Sequence, residues 1–230
     1  MSSTGPPASA TTRADRRSVP SVQEVLPGLF HWTAVHPSIH TEVSSYWLEE
    51  HGVLFDPLVP EDEGLAWFAS RARAPVAILL SNRLHYRHSD RFGCPVLCNR
   101  LGLHAFSDGR AVEGFDVGDA LPGGVLACEL DAICPDDTAL YLPQLRAVVI
   151  ADGVVRGGPY GASGPLGFVP DSLMEDPPAT KRGLLDACAR LLAECDFDHL
   201  LLAHGGPVIG DGRELLQELV DSGGRTAFEM

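Results

Sequence analysis

The segment from Ile78 to Asp90 reads ILLSNRLHYRHSD and changes abruptly from aliphatic to polar residues. Its first residues are aliphatic and follow Pro75, as expected for a strand that is covered on both faces. Histidines, arginines and a carboxylate come directly after this strand. Because buried parallel strands present ligands and catalytic groups at their carboxyl ends, the segment predicts the functional centre of the protein.

The composition bounds the number of domains. The chain has 230 residues, of which 45% are hydrophobic and 21% are charged, and this is enough for one substantial core. We therefore predict a single domain over residues 21–230. Residues 1–20 are rich in Ser, Thr, Ala, Pro and Gly and are almost without apolar side chains, so they predict a disordered tail.

The charge and the hydrophobic runs exclude several classes of partner. A formal net charge of −14 argues against nucleic acid, because phosphate binding requires clustered Lys and Arg. No apolar run approaches the roughly 20 residues of a membrane helix, and the N-terminus lacks the apolar core of a signal peptide. We therefore expect a cytoplasmic protein that acts on a small molecule and binds neither nucleic acid nor a membrane. The oligomeric state is left open.

The six cysteines lie scattered in apolar segments rather than in a dense framework. This pattern predicts reduced and mostly buried thiols. We expect no structural disulfide.

Hydrophobic patterns and turn residues predict an α/β layer architecture. Strands are predicted over Val22–Leu26, Leu29–Ala34, Ser44–Glu49, Val53–Phe55, Ala77–Leu80, Pro95–Cys98, Val125–Leu130, Ala139–Leu142, Ala147–Ile150 and His199–Ala203. Helices are predicted over Glu61–Ala72, after the N-cap Asp176, and after Asp211, where Glu214 completes a capping-box pattern. A short helix is also expected over Asn99–Phe106.

Polar groups that a strand does not itself need follow three of the predicted strands. His85 and His88 follow the first, Asp152 follows the second, and His204 follows the third. The order of elements, together with these residues, resembles the metallo-β-lactamase fold from roughly Val22 to Val220. The resemblance implies a four-layer αββα sandwich with metal ions bound at the sheet edges.

The resemblance is incomplete at the metal-binding motifs. The family's His-x-His-x-Asp-His loop falls on residues 83–88, where Arg83 replaces the first histidine and Arg87 replaces the aspartate. Asp152, between Ala151 and Gly153, resembles the Gly-Asp turn that supplies the bridging carboxylate, and His204 resembles the closing Gly-His-Gly turn. The remaining family histidine should precede Ala139–Leu142, but residues 134–137 read CPDD.

The two arginines argue against a dinuclear site, since two metal ions already bring about four positive charges into a partly desolvated pocket. One divalent ion, such as zinc or iron, is chemically reasonable, because three protein ligands plus water form an open catalytic site and lower the pKa of that water towards 7. The alternative is a metal-free site, in which Arg87 or Arg83 pairs with Asp152 in place of the cation. The predicted ligands are His85, His88, Asp152 and His204.

The resemblance implies a metal-dependent hydrolase in which a metal-bound water attacks an ester, thioester, amide or lactone of a small substrate. We assign Asp152 and Arg87 to catalysis and Arg83 and Tyr86 to substrate binding. The alternative is a non-catalytic, metal-free protein of the same fold that binds a small ligand or a protein partner in the residual cleft. His36 and His40 follow an early strand and are weaker candidates for the rim of the pocket.

Overall fold

Two β-sheets pack face to face in the computed structural model, which describes residues 22–59, 61–157 and 163–224. The predicted tail at residues 1–20 lies outside the described residues. Among the described helices, every one is too short or too polar to cross a lipid bilayer.

The first sheet contains the first half of the chain. Its strands are β1 (Gln23–Leu26), β2 (Leu29–Val35), β3 (Glu42–Leu48), β4 (Val53–Phe55), β5 (Ala77–Leu79), β6 (Val96–Asn99) and β7 (Glu113–Phe115), in this spatial order, with helix α1 (Glu61–Ala69) between β4 and β5. Strands β1 to β4 pair antiparallel, and β4 to β7 pair parallel. The carboxyl ends of β4 and β5 therefore lie at the same edge of the sheet.

The second half of the chain forms the second sheet and its helices. The elements are β8 (Ala120–Leu121), β9 (Val125–Glu129), β10 (Thr138–Leu142), β11 (Ala147–Ile150), β12 (Val154–Arg156), β13 (Leu166–Phe168), α2 (Pro177–Glu194), β14 (His199–Leu202) and α3 (Gly212–Asp221). The sheet order is β14-β11-β10-β9-β8, and β12 and β13 form a separate hairpin. Because β14 is parallel to β11, these two strands also end at one edge.

Successive side chains of a strand point to opposite faces of its sheet and so pack in different layers. In β4, Val53 and Phe55 pack between the two sheets, whereas Leu54 faces Phe68 of α1 on the outer side. On the second sheet, Val148 and Ile150 pack against α2 and α3. The described residues thus form helix, sheet, sheet and helix layers, which confirms the predicted four-layer αββα sandwich.

The two long C-terminal helices begin in different ways. Asp176 caps α2, since its carboxylate accepts a hydrogen bond from Ala179 N at 3.1 Å, as predicted. The capping box predicted at Asp211 is wrong, because the Asp211 side chain makes no capping hydrogen bond to the described residues. Instead, Gly212 N donates to Asp198 O at 2.8 Å, and this anchors the start of α3 against the residue that precedes β14.

Candidate functional site

Three strand ends meet at the edge between the sheets. After β5, Ser81 and Asn82 lead into a short 3-10 turn, Arg83–Tyr86, which carries His85. Asp152 follows β11, and His204 follows β14. The backbone joins the sheets here, since Ser44 N donates to Ala203 O at 2.8 Å and Thr138 N donates to Ser81 O at 2.9 Å.

Asp152 lies between two imidazole rings. Its Oδ1 is 3.1 Å from His85 Nε2 and 3.1 Å from His204 Nε2. One ligand atom from each of these three residues lies within 4.8 Å of the others. His85 and His204 are buried, whereas the Asp152 side chain keeps 18% of its surface exposed. The structure therefore brings three of the four predicted metal ligands together.

The fourth predicted ligand, His88, lies apart from this cluster. Its Nδ1 is 2.9 Å from Val59 O and 3.2 Å from Val59 N, and its backbone N donates to Pro57 O at 3.0 Å. Arg87 adopts φ 45° and ψ −112°, which turns the chain after the 3-10 turn and directs His88 towards Val59. Burial lowers the pKa of His88, as expected for a neutral ring held by backbone groups.

The two arginines do not hydrogen-bond Asp152 in the described structure. Arg83 pairs through Nη1 with the buried Asp136, and its backbone N donates to Asp136 Oδ2 at 2.7 Å. Arg87 Nη1 donates to Ser44 O at 2.9 Å and to Asp56 O at 2.7 Å. The predicted pairing of an arginine with Asp152 is thus replaced by the hydrogen bonds of the two histidines. Arg87 stays beside the cluster as a neighbouring positive charge.

Asp56, which the sequence analysis missed, supports His85 from behind. This buried carboxylate accepts hydrogen bonds from Ser81 N at 2.9 Å and Ser81 Oγ at 2.5 Å, and its Oδ2 lies 3.0 Å from His85 Nδ1. Asp56 follows β4 just as Ser81 follows β5, and the two strands are parallel. His85 was selected as a polar residue that follows a buried strand, and the same pattern could have selected Asp56.

The charges of this cluster depend on one another. Burial and the nearby Arg87 disfavour a charged His85, but Asp152 and Asp56 outweigh both and raise the pKa of His85 to about 9. Burial would raise the pKa of Asp152, yet His85 and His204 hold it well below its ordinary value. Without an ion, the two carboxylates of Asp56 and Asp152 are therefore balanced by Arg87 and a protonated His85.

A second layer of polar groups holds Asp152 from the other side. Asn82 is fully buried, and its Nδ2 lies 3.2 Å from Asp152 Oδ2 and 3.4 Å from Asp137 Oδ1. Its Oδ1 accepts from Leu84 N at 2.9 Å, which ties it to the 3-10 turn. Asp137 is 1% exposed, and its Oδ2 has no hydrogen-bond partner among the described residues. Burial, and then the charge of Asp152, raise the pKa of Asp137 to about 7.

The cluster faces a cleft of about 490 Å³ with mostly apolar walls. His36 contributes to its lining, as predicted for the rim, whereas His40 does not. Tyr86 also lies away from it, since its ring packs 5.6 Å from Phe106 and under Arg110. The lining residues are His36, Ile39, Thr41, Val43, Leu84, His85, Arg87, Ile133, Asp152, Val169, Leu173 and His204.

The donor set fits a single divalent ion. Two imidazole nitrogens and one carboxylate oxygen suit zinc or iron, and a site with three protein ligands leaves a position open towards the cleft. Asp56 accepts from His85 Nδ1 and so leaves Nε2 for an ion, which is the arrangement usual for metal-binding histidines. Binding requires the loss of the proton from His85.

No protein-family model matches the sequence, and no curated protein matches it. Solved structures do resemble the fold. A metallo-β-lactamase from Pontibacter korlensis is 15% identical with a TM-score of 0.65, covering 90% of this chain and 100% of that one. A metallo-β-lactamase family protein from Thermus thermophilus is 16% identical with a TM-score of 0.61, covering 86% of this chain and 80% of that one.

The flavodiiron protein from Giardia intestinalis is 15% identical with a TM-score of 0.62, and the match covers 89% of this chain but 59% of that one. At such identities, the likeness concerns the fold and does not extend to activity or substrate.

Proposed function

We propose that this chain, whose fold is that of the metallo-β-lactamases, is a hydrolase of small molecules that uses one divalent ion, such as zinc or iron. The observation that carries the proposal is the convergence of His85, Asp152 and His204, whose ligand atoms lie within 4.8 Å of one another at a cleft. A bound ion would supply a Lewis acid and an activated water for attack on an ester, thioester, amide or lactone carbonyl.

The surrounding residues prepare the site for such an ion. Asp56 orients the His85 ring by accepting from Nδ1, and Asn82 holds Asp152 Oδ2, so that Oδ1 faces the histidines. Once His85 is neutral, the charges of Asp56, Asp152 and Arg87 sum to one negative charge. A divalent cation would reverse this sign and favour the negative charge that develops on a carbonyl oxygen during hydrolysis.

The cleft supports a small substrate with apolar parts. Ile39, Leu84 and Leu173 line it and are exposed by 54%, 61% and 63%, so their apolar surfaces are open to a ligand. Arg87 provides the positive charge beside the cluster. Arg83 and Tyr86 have other partners in the structure, and we do not retain them as substrate-binding residues.

A metal-free binding protein is the second candidate. The balance of charges in the cluster favours this candidate, since a protonated His85 and Arg87 neutralise Asp56 and Asp152 without any ion. In that case a small ligand would occupy the cleft and no hydrolysis would take place.

Metal reconstitution distinguishes the two candidates. The protein is purified without chelator, assayed for metal, stripped, and then reloaded with zinc, iron(II) or manganese(II). Each form is tested on a panel of aryl esters, thioesters, anilides and lactones. We expect hydrolysis of at least one class, lost on stripping, restored on reloading, abolished in His204→Ala and retained in Arg100→Ala, whose side chain is exposed. A reloaded protein that hydrolyses no member of the panel would contradict the proposal and favour the metal-free alternative.

A further inference from the structure

Two of the six cysteines lie in contact on the side of the second sheet that faces α2. Cys128 is on β9, and Cys195 is the residue that ends α2. Their Sγ atoms are 3.7 Å apart, although the residues are 67 positions apart in the sequence. Both are thiols in the structure. A disulfide requires an S–S distance of about 2.05 Å, so the two sulfurs must come closer by roughly 1.7 Å.

The two thiols differ in their access to solvent. Cys128 is partly exposed, whereas Cys195 is 6% exposed. An oxidant that reaches Cys128 from solvent therefore finds the second thiol within contact distance. The hydrogen bond between the two thiols lowers the pKa of Cys195 and raises that of Cys128, so Cys195 is the sulfur of this pair that ionises more readily. Cys188, on the same helix, is completely buried and so serves as an internal comparison.

We propose that Cys128 and Cys195 are an oxidation site that forms an intramolecular disulfide on exposure to a peroxide, joining the end of α2 to β9. This inference does not depend on the proposed hydrolase activity. One sulfur attacks an oxygen of hydrogen peroxide, breaks the O–O bond and releases water, which leaves a sulfenic acid. The second sulfur displaces that hydroxyl group as water and forms the S–S bond. The two thiol protons leave in the two waters, and two electrons pass from sulfur to the peroxide.

The bond would fix a junction of three elements. Arg213 of α3 donates through Nη1 to Cys195 O at 2.9 Å and through Nη2 to Leu192 O at 2.5 Å, so the end of α2 is already held by α3. A disulfide would add β9 to this junction. Because the two cysteines are 67 positions apart, the disulfide would close a long loop and restrict the unfolded chain. The oxidised form should therefore unfold at a temperature higher than that of the reduced form by about 5 °C or more.

The experiment treats the full reduced chain with hydrogen peroxide, removes excess oxidant and alkylates the remaining thiols after denaturation. Before alkylation, the intact mass should be lower than that of the reduced protein by two hydrogen atoms. After alkylation, we expect all but two of the six thiols to carry the label. Trypsin should then release residues 111–146 and 191–213 as one linked species. Fragmentation should place the bond at Cys128 rather than at Cys134, which is on the same peptide.

Variants and a reductant provide the controls. Cys128→Ser should abolish the linked peptide, Cys188→Ser should retain it, and dithiothreitol should reverse both the link and the rise in the unfolding temperature. Oxygen adducts on Cys128 without a linked peptide in the parent protein would overturn the inference. A link that leaves the unfolding temperature unchanged would overturn the stabilising junction. The disulfide is located by peptide analysis of the parent protein, so the test does not depend on whether a Ser variant folds.

Discussion

His85 Nε2 lies 3.1 Å from Asp152 Oδ1, although His85 follows a strand of the first sheet and Asp152 follows a strand of the second. This pair joins the two halves of the chain at the cleft. The carboxylate keeps His85 protonated when no ion is bound, and the same two atoms are the ones that would hold an ion. The stability of the metal-free protein and its affinity for metal are therefore linked through one contact.

Substitution of Asp152 tests whether its carboxylate stabilises the charged form of His85. With a chelator present at pH 7, Asp152→Ala should destabilise the protein by about 3 kcal/mol, because it removes one of the two carboxylates that balance the buried imidazolium of His85 and the charge of Arg87. Urea unfolding measures the change. Asp90→Ala is the control, since this exposed residue belongs to the same segment and should change stability by less than about 0.5 kcal/mol. Equal effects of the two substitutions would show that His85 is not charged in the folded protein.

The raised pKa of His85 makes zinc binding depend on pH. Between pH 7 and pH 9 the ion must displace a proton, so the affinity should rise about tenfold per pH unit and level off above the pKa of about 9. Titration calorimetry in two buffers of different ionisation enthalpy should show one proton released per zinc bound at pH 7. An affinity that is constant between pH 7 and pH 9 would mean that His85 is already neutral.

The same shift predicts the behaviour of the metal-free protein in alkali. The pKa of His85 is higher in the folded protein than the ordinary 6.5, so protonation stabilises the fold. This contribution is fully present below about pH 6.5 and is lost as the pH rises through 9. With a chelator present, His85→Gln should remove this loss between pH 7 and pH 10 in urea unfolding. A parent and variant with parallel pH profiles would contradict the assignment.

Asp137 gives a prediction at lower pH. Its pKa is raised from 3.8 to about 7, so the buried carboxyl favours the fold when protonated, and this contribution disappears as the pH rises through 7. Asp137→Asn keeps the shape and the acceptor for Asn82 but carries no charge. It should therefore stabilise the protein at pH 8 by about 2–4 kcal/mol and have little effect at pH 4. A variant less stable than the parent at pH 8 would show that the ionised carboxylate has a favourable partner.

Arg83 should matter for stability because of Asp136 rather than for a substrate. Arg83→Ala leaves the carboxylate of Asp136, which is 1% exposed, without its guanidinium and should cost about 2 kcal/mol. Arg100→Ala breaks an exposed pair with Asp116, in which the side chains are 57% and 60% exposed, and should cost under about 0.5 kcal/mol. If Arg83→Ala is as mild as the control while weakening substrate binding, the predicted substrate role of Arg83 would be restored.

The fold could be predicted further from the sequence than the site could. Buried parallel strands such as β5 and β11 are continuous aliphatic runs, and their polar ends are visible because apolar and polar residues meet abruptly. Strands β7, β8, β12 and β13 were not predicted, since each has two or three residues and, unlike β4 and β5, offers no run of three consecutive apolar side chains. Short strands depend on their partners in the sheet for their definition.

At the site, His85, Asp152 and His204 follow strand ends, and the strand order brings those ends together. The direction of a side chain in a loop is not visible in this way. His88 turns towards Val59 because Arg87 takes a positive φ, which residue type alone does not indicate. Asp56 was not selected from the sequence although it too directly follows a strand, and its partner Ser81 is 25 residues away in the sequence.

Zinc titration of the parent protein and of two histidine variants at pH 8 is the decisive measurement for a metal site formed by His85, Asp152 and His204. His204 belongs to the cluster and His88 lies outside it, so the two variants remove the same side chain at positions that the structure separates. We expect one zinc per parent chain, an affinity lowered by about 100-fold or more in His204→Ala, and an affinity within about threefold of the parent in His88→Ala. A parent that binds no zinc, or a His88→Ala variant that loses as much affinity as His204→Ala, would contradict this metal site.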